Sequence, residues 1–240
     1  MEKRCVHCGN PVKTLLLQYS PGNIRLMKCD KCKAVADEYI ECDITILSID
    51  LILHKRKAYR HLLYNVLHRD AVGVEGILWK SIFGYLFLDA CRHLISNNSK
   101  EEFASSTSSL SSIPACGKML MEILLGNFAF FGFLVFATRF LMKSSQVIWN
   151  KDVLLAILVS SYFKIFLIAM MVWEFPSSVL FIIDVFVLSS NAVALTVLTQ
   201  VRMTGCIGAC IGAHAAKLAA NRVLEVLPSG YLRCFSILDW

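Results

Sequence analysis

Three apolar stretches of about twenty residues do most to limit what this chain can fold into. Residues 123–142, 153–173 and 179–201 each carry one charged side chain, Arg139, Lys164 and Asp184 respectively. A helix rises about 1.5 Å per residue, so each stretch matches the roughly 30 Å hydrocarbon core of a bilayer. The whole chain agrees: 56% of its residues are apolar, 18% are charged, and its mean hydropathy is +0.59. Such a composition excludes a disordered chain and a disulfide-dense secreted scaffold.

The charge is unevenly placed. Residues 1–70 hold 12 of the 24 Lys and Arg, with 8 acidic residues, so a polar head precedes an apolar body. The opening residues, MEKRCVHCGN, have no apolar core of a signal peptide, and the head is expected to stay in the cytosol. Residues 77–95, with Lys80, Asp89 and Arg92, read as a further span despite their charges. Residues 203–227, with Lys217, Arg222 and Glu225, read either as a fifth span or as an interfacial helix. This order places Arg139, Lys143 and Lys151 at a cytosolic loop and leaves Pro176 to Ser178 in the lumen. The Ser-rich stretch from Ser96 to Gly117, with its sequon Asn97-Asn98-Ser99, is expected as a luminal loop. Gly208 and Gly212 form a G-x-x-x-G pattern, a helix-packing signal that is weak among so many small residues.

In the head, Cys5 and Cys8 are separated by twenty residues from Cys29 and Cys32. Between the pairs, Lys13 to Tyr19 and Ile24 to Lys28 read as strands joined by the turn Ser20-Pro21-Gly22-Asn23. A hairpin that brings two Cys-x-x-Cys turns together offers four thiolates to one zinc ion. The competing readings are a redox pair and disulfides. A cytosolic compartment argues against disulfides, and the βαβ setting of a redox motif is missing. A site with all four positions taken by protein is structural, and would stabilise a head too small to rely on its own core. His7, inside the first turn, reads either as a spare ligand or, the preferred reading, as an exposed spacer whose ring helps orient the site. Cys42, Cys91, Cys116, Cys206, Cys210 and Cys234 lack metal-type spacing and read as small apolar residues or palmitoylation sites.

Residues Ile44 to Leu53 are almost all apolar but too short to cross a bilayer, so they should lie on something. Beyond them Tyr59, Leu62, Leu63, Val66 and Leu67 share one helix face, while Lys55, Arg56, Lys57, Arg60 and Arg69 occupy others. This basic amphipathic helix either docks on its own protein or rests on anionic lipid, and the second reading is preferred here.

Within the body, a lysine in mid-span costs about 2.5–3.5 kcal/mol on insertion scales, so Lys164 needs a partner or a wet cavity. Asp184 on the next span is the expected partner, with Glu174 as competitor. The pair either specifies packing or lines a polar path for a lipid head group. Asp89 and His93 are four apart on one helix face, as an acid and its orienting partner would be. No nucleophile accompanies them, and G-x-S-x-G, H-E-x-x-H, G-x-x-x-x-G-K and G-x-G-x-x-G are all missing from the sequence. No catalytic residue is assigned.

The order CVHC, CDKC, YIECD (Tyr39 to Asp43), IDLILHK (Ile49 to Lys55) and AYRHLLYN (Ala58 to Asn65) resembles the N-terminal homology domain of the Arv family of endoplasmic-reticulum membrane proteins. The strings SSYFK (Ser160 to Lys164) and VWE (Val172 to Glu174) extend the resemblance into the body. It implies a zinc ribbon on a multi-span anchor, with Cys5, Cys8, Cys29 and Cys32 as ligands. It also implies a non-enzymatic role in sterol and sphingolipid homeostasis, through transport and distribution of these lipids from the endoplasmic reticulum. The alternative is a membrane-embedded lipid-handling enzyme or an adaptor in glycosylphosphatidylinositol assembly. The partners implied are membrane lipids, namely sterols, sphingolipids and glycosylphosphatidylinositol intermediates, together with other lipid-handling membrane proteins. Nucleic acid is not an expected partner, since the basic residues suit anionic lipid.

The expected fold is therefore mostly α: a bundle of three to five transmembrane helices with a small N-terminal zinc-ribbon β-hairpin and a basic amphipathic helix. Residues 1–43 form the head, 44–70 the connecting helical segment and 77–240 the transmembrane region.

Overall fold

The computed structural model describes residues 2–20, 22–67, 74–101, 112–142, 150–173, 175–176 and 178–226. Its head contains one antiparallel hairpin, β1 (Leu16–Ser20) with β2 (Asn23–Leu26), in which Leu16 faces Leu26 and Gln18 faces Ile24. The strands are shorter than their apolar pattern suggested, because Lys28 leaves the hairpin to bridge Val35 in the second cysteine turn. Both hairpin faces are largely exposed. Two strands alone are marginal in water, so the hairpin relies on what ties its ends together.

After a single turn of 3₁₀ helix at Glu38–Ile40 come α1 (Ile44–Ile52) and α2 (Arg56–Arg60), and α2 continues as a widened π-helical turn over His61–Val66. These short helices join two cores. Val6, Tyr39 and Ala58 form a small core in the head, onto which Leu47 and Leu51 pack. One residue further on, Tyr59, with Leu63 and Tyr64, belongs instead to the large core of the bundle. None of the residues of α1 is buried, and Ile44, Ile49, Ile52 and Leu53 are exposed.

The body consists of α3 (Val74–Glu101), α4 (Ser112–Leu141), α5 (Asn150–Ser160), a 3₁₀ segment (Ser161–Ile165), α6 (Phe166–Val172), α7 (Ser178–Thr199) and α8 (Met203–Val226). Among the described residues three stretches are long and apolar enough to cross a membrane: Gly117–Leu141, Lys151–Val172 and Ser178–Thr199. They coincide with the three apolar runs of the sequence. Helices α3 and α8 are also long, at 28 and 24 residues, but carry several charges. Helix α3 runs past Ser96 to Glu101, and α4 starts at Ser112, so helix replaces much of the expected Ser-rich loop. Residues 102–111 and the side chains of the sequon lie outside the described part.

Helices α4 and α8 run antiparallel. A Cβ at Gly205 would meet Leu141, and one at Gly212 would sit 2.5 Å from Phe133 Cε1. Of the two glycines in the G-x-x-x-G pattern, then, Gly212 is at a close approach and Gly208 faces open space. The ion pair from Lys151 to Glu75, 2.9 Å, puts the starts of α3 and α5 side by side. The outer faces of α3, α4 and α7 display Phe83, Phe87, Phe128, Phe136, Phe140 and Phe181, all well exposed. Polar groups sit inside, including Asp89, Asn127, Ser160, Lys164 and Asn191. This apolar-out, polar-in distribution suits a surface solvated by lipid.

The seam between head and bundle depends on Tyr59, which is 1% exposed and shares a 2.7 Å hydrogen bond with Ser190 on α7. Tyr59→Ala is expected to destabilise the protein by about 3–5 kcal/mol. Thermal unfolding in detergent checks this, and hydrogen exchange should show the first loss of protection in α2.

Candidate metal centre and buried charge cluster

The two cysteine turns are built alike. In the first, the amide of Gly9 donates to Cys5 O at 2.9 Å; in the second, the amide of Lys33 donates to Cys29 O at 2.9 Å. The residue after each second cysteine has a positive φ, +75° at Gly9 and +60° at Lys33. This left-handed step folds the chain back so that both sulfurs of a turn point the same way, and at Gly9 it carries no Cβ strain. The hairpin then sets one turn against the other.

All four Sγ atoms of Cys5, Cys8, Cys29 and Cys32 lie within 4.8 Å of one another. Between the turns, the sulfurs of Cys5 and Cys32 are 3.7 Å apart and those of Cys8 and Cys29 3.6 Å apart. Tetrahedral thiolates about 2.3 Å from a zinc-sized ion have sulfurs about 3.8 Å apart, so the geometry fits a single metal ion. Backbone amides of the second turn, that of Cys32 first, draw the Cys29 thiol down to about 7, while burial pushes Cys5 up to about 12. A bound cation would remove the cost that burial imposes on a Cys5 thiolate. His7 is not among these ligands, since its Nε2 lies 3.6 Å from Glu38. Cys91, Cys206 and Cys210 are buried, and Cys42 Sγ donates to Glu38 O at 3.3 Å. The side chains of Cys116 and Cys234 are outside the described part.

Behind the cysteine turns stands a carboxylate that the sequence reading missed. Asp37 is fully buried. It accepts from the Tyr39 amide at 3.1 Å and from Asn65 Nδ2 at 2.7 Å, and it pairs with His61 Nδ1 at 2.7 Å. Asn65 also brackets Arg4, accepting from its amide and donating to its carbonyl, each at 3.0 Å. The available signal was the i, i+4 spacing of His61 and Asn65, which puts two polar side chains on one face of a helix.

The four basic residues assigned to a lipid surface have other partners. Lys55 pairs with Asp50 at 2.7 Å and Lys57 with Glu38 at 3.3 Å. Arg60 donates to Val6 O and His7 O, at 2.9 and 2.7 Å. Arg56 is exposed, with its guanidinium near Met203. Of the two readings of this helix, the structure shows docking on its own protein, with the helix held between the head and the bundle. Its apolar face covers α7, and Arg60 caps carbonyls of the first cysteine turn.

The intramembrane pairing is also corrected. Lys164 does not reach Asp184; its Nζ lies 2.7 Å from Asp89 Oδ1 on α3. Asp89, 1% exposed, holds a second cation, Lys217 of α8, and accepts from Asn127 Nδ2 at 2.9 Å. Lys217 in turn donates to Asn127 Oδ1 at 2.9 Å. Lys164 Nζ also stands 3.5 Å from the centroid of the Tyr85 ring, a cation–π contact. Asp184 is claimed by both guanidinium nitrogens of Arg92, one of them at 2.6 Å. His93 turns to Glu122 at 4.0 Å, so Asp89 and His93 do not act as a pair. Glu174, the expected competitor, lies outside the described residues.

The helix around Lys164 tightens to 3₁₀ for a local reason. Ser160 and Ser161 donate to Asn191 Oδ1 at 2.6 and 3.2 Å, and Ser190 donates to Ser160 O at 2.6 Å. These α7 side chains accommodate the disturbed backbone and present Lys164 towards α3.

Cys29→Ser is expected to abolish stoichiometric metal binding by the purified chain, read by elemental mass spectrometry. In the unmutated protein the metal should be released as the pH falls below neutral, because protons compete for the sulfurs. Asp89→Ala leaves the buried Lys164 and the half-buried Lys217 without their carboxylate and is expected to cost about 3–5 kcal/mol. Its effect on the detergent unfolding midpoint should exceed that of Asp184→Ala, whose partner Arg92 is partly exposed.

The model of the Arv1-like family matches residues 4–195. A protein named "Protein ARV 1" of Arabidopsis thaliana is 49% identical over 225 residues, covering 93% of this chain and 89% of the relative. "Protein ARV 2" of the same plant is 47% identical over 222 residues, 92% of this chain and 95% of the relative. "Protein ARV1" of Saccharomyces cerevisiae is 44% identical over 63 residues, 26% of this chain and 20% of its own. No solved structure matches.

Proposed function

This chain belongs to the Arv1-like family, and on that premise we propose that it is a non-enzymatic mediator of sterol and sphingolipid homeostasis in the endoplasmic-reticulum membrane. In this reading the ion held by Cys5, Cys8, Cys29 and Cys32 is zinc, the head faces the cytosol, and the bundle engages a sterol or sphingolipid during its distribution to other membranes.

The observation that carries the reading is the coupling between the cysteine site and the bundle. Four protein ligands leave no coordination position for a substrate, so the ion orders the head and does no hydrolysis. What it orders is the stretch tied through Asp37, His61 and Asn65 to α2, whose Tyr59 and Tyr64 enter the core of the helices. Tyr64 Oη reaches the carbonyls of Val197 and Leu198 at the end of α7, at 3.3 and 3.2 Å. A change in the head is thus transmitted to helices that contact lipid. The buried charges offer polar anchoring points inside an otherwise apolar body, where a hydroxyl or amide of a lipid can be recognised.

The test combines sterol imaging with lipid co-purification. In cells relying on this protein, Cys29→Ser with Cys32→Ser should shift sterol from the plasma membrane to internal membranes while the chain still inserts. Mass spectrometry of the purified protein should find a stoichiometric sterol or sphingolipid that is lost in Lys164→Ala. Normal sterol distribution in the cysteine variant would refute the proposal.

A further inference from the structure

A cavity of about 450 Å³ opens where the first cysteine turn meets the end of α7, a volume typical of small-ligand sites. Four cationic side chains line it, Arg4, Lys31, Arg56 and Arg60, and among the described residues no carboxylate does. Among the described residues Arg4, Lys31 and Arg56 make no ion pair. Arg4 lies over the Tyr64 ring, 4.7 Å from its centroid, and its buried Nε lacks a hydrogen-bond partner. Arg60 is fixed by the two carbonyls of the cysteine turn. The site therefore combines two oriented guanidinium groups with two adaptable cations.

Repulsion among like charges gathered in one concavity is unfavourable unless an anion joins them. The floor of the cavity is the carbonyl end of α7, which on its own would repel an anion. Tyr64 Oη, set against the Val197 and Leu198 carbonyls, blunts that end. Thr196 and Gln200 add polar atoms to the lining. The cavity also lies at the end of a helix that is long and apolar enough to cross a membrane.

We propose that this cavity binds a phosphate group, supplied by the head group of an anionic phospholipid or by a soluble phosphorylated compound. Guanidinium forks match phosphate oxygens in charge and in geometry. The inference goes beyond the sterol reading and does not depend on it. A bland competitor exists: four thiolates around a divalent ion form a doubly negative centre, and the cations could serve only to balance it. The two accounts differ in what happens when the cations are removed.

The experiment uses full-length, metal-loaded protein in phosphatidylcholine nanodiscs. Binding of inorganic phosphate and of inositol trisphosphate is measured by calorimetry, and uptake of phosphatidic acid against phosphatidylcholine by native mass spectrometry. The expected result is saturable binding that weakens at least tenfold in the Lys31→Gln, Arg56→Gln double variant, with metal content and unfolding midpoint unchanged. Gln200→Glu, which removes no cation and places a carboxylate in the cavity, should weaken binding similarly and covers the case in which the double variant fails to fold. Binding of phosphatidic acid without inositol trisphosphate assigns the site to a lipid, and the reverse assigns it to a soluble ligand. Absence of binding, or equal binding by wild type and Gln200→Glu, overturns the proposal. So does loss of metal from a double variant whose unfolding midpoint is unchanged, which would make the cations counter-charges of the thiolates.

Discussion

A carboxylate with no access to water must have its charge answered by neighbours, and Asp37 has that role between the cysteine site and the helices. It gathers the Tyr39 amide, His61 and Asn65 around one side chain. Two of those partners come from the helix that also inserts Tyr59 and Tyr64 into the bundle. The head has little apolar material of its own, its core being Val6, Tyr39 and Ala58. Its fixed position comes from the cysteine turns on one side and this hydrogen-bonded hub on the other. Remove either and the hairpin, exposed on both faces, has nothing to hold its register.

The bundle repeats the same physics in a less polar solvent. Asp89 is surrounded by Lys164, Lys217 and Asn127, and Tyr85 covers Lys164 from the side. Four helical segments, α3, α4, the 3₁₀ turn and α8, converge on that carboxylate. Apolar packing alone discriminates poorly between helix arrangements in lipid, whose tails are as apolar as leucine. A charge that can be satisfied in one arrangement only is a stronger guide. The pair of Arg92 and Asp184 performs the same service between α3 and α7, nearer the surface.

The cysteine spacing and the apolar runs were legible because each depends on local pattern: two short turns for the sulfurs, uninterrupted hydropathy for the helices. Pairing within the membrane was not. Lys164 was expected to meet Asp184 because the two runs are neighbours in sequence, whereas its partner lies 75 residues earlier, on a helix whose charges made it look marginal. Periodicity had no means of ranking those alternatives. The docking of the basic helix was hidden for a related reason. Its apolar stripe has the same spacing whether it meets lipid or protein, and what decides is a set of acceptors elsewhere: Asp50, Glu38 and two carbonyls of the first cysteine turn. Asp37 escaped notice because an isolated aspartate in a polar segment carries no pattern.

The position of Lys217 has a consequence for how the protein is made. Synthesis proceeds from head to tail, so α8 leaves the ribosome after the helices that carry Asp89 and Asn127. Until it docks, Asp89 and Lys164 already form a neutral pair; α8 by contrast carries a lysine that lipid alone would reject. Helix α8 can settle only against a receptor that its predecessors have completed. Errors in the earlier helices therefore leave Lys217 of α8 without the carboxylate that holds it.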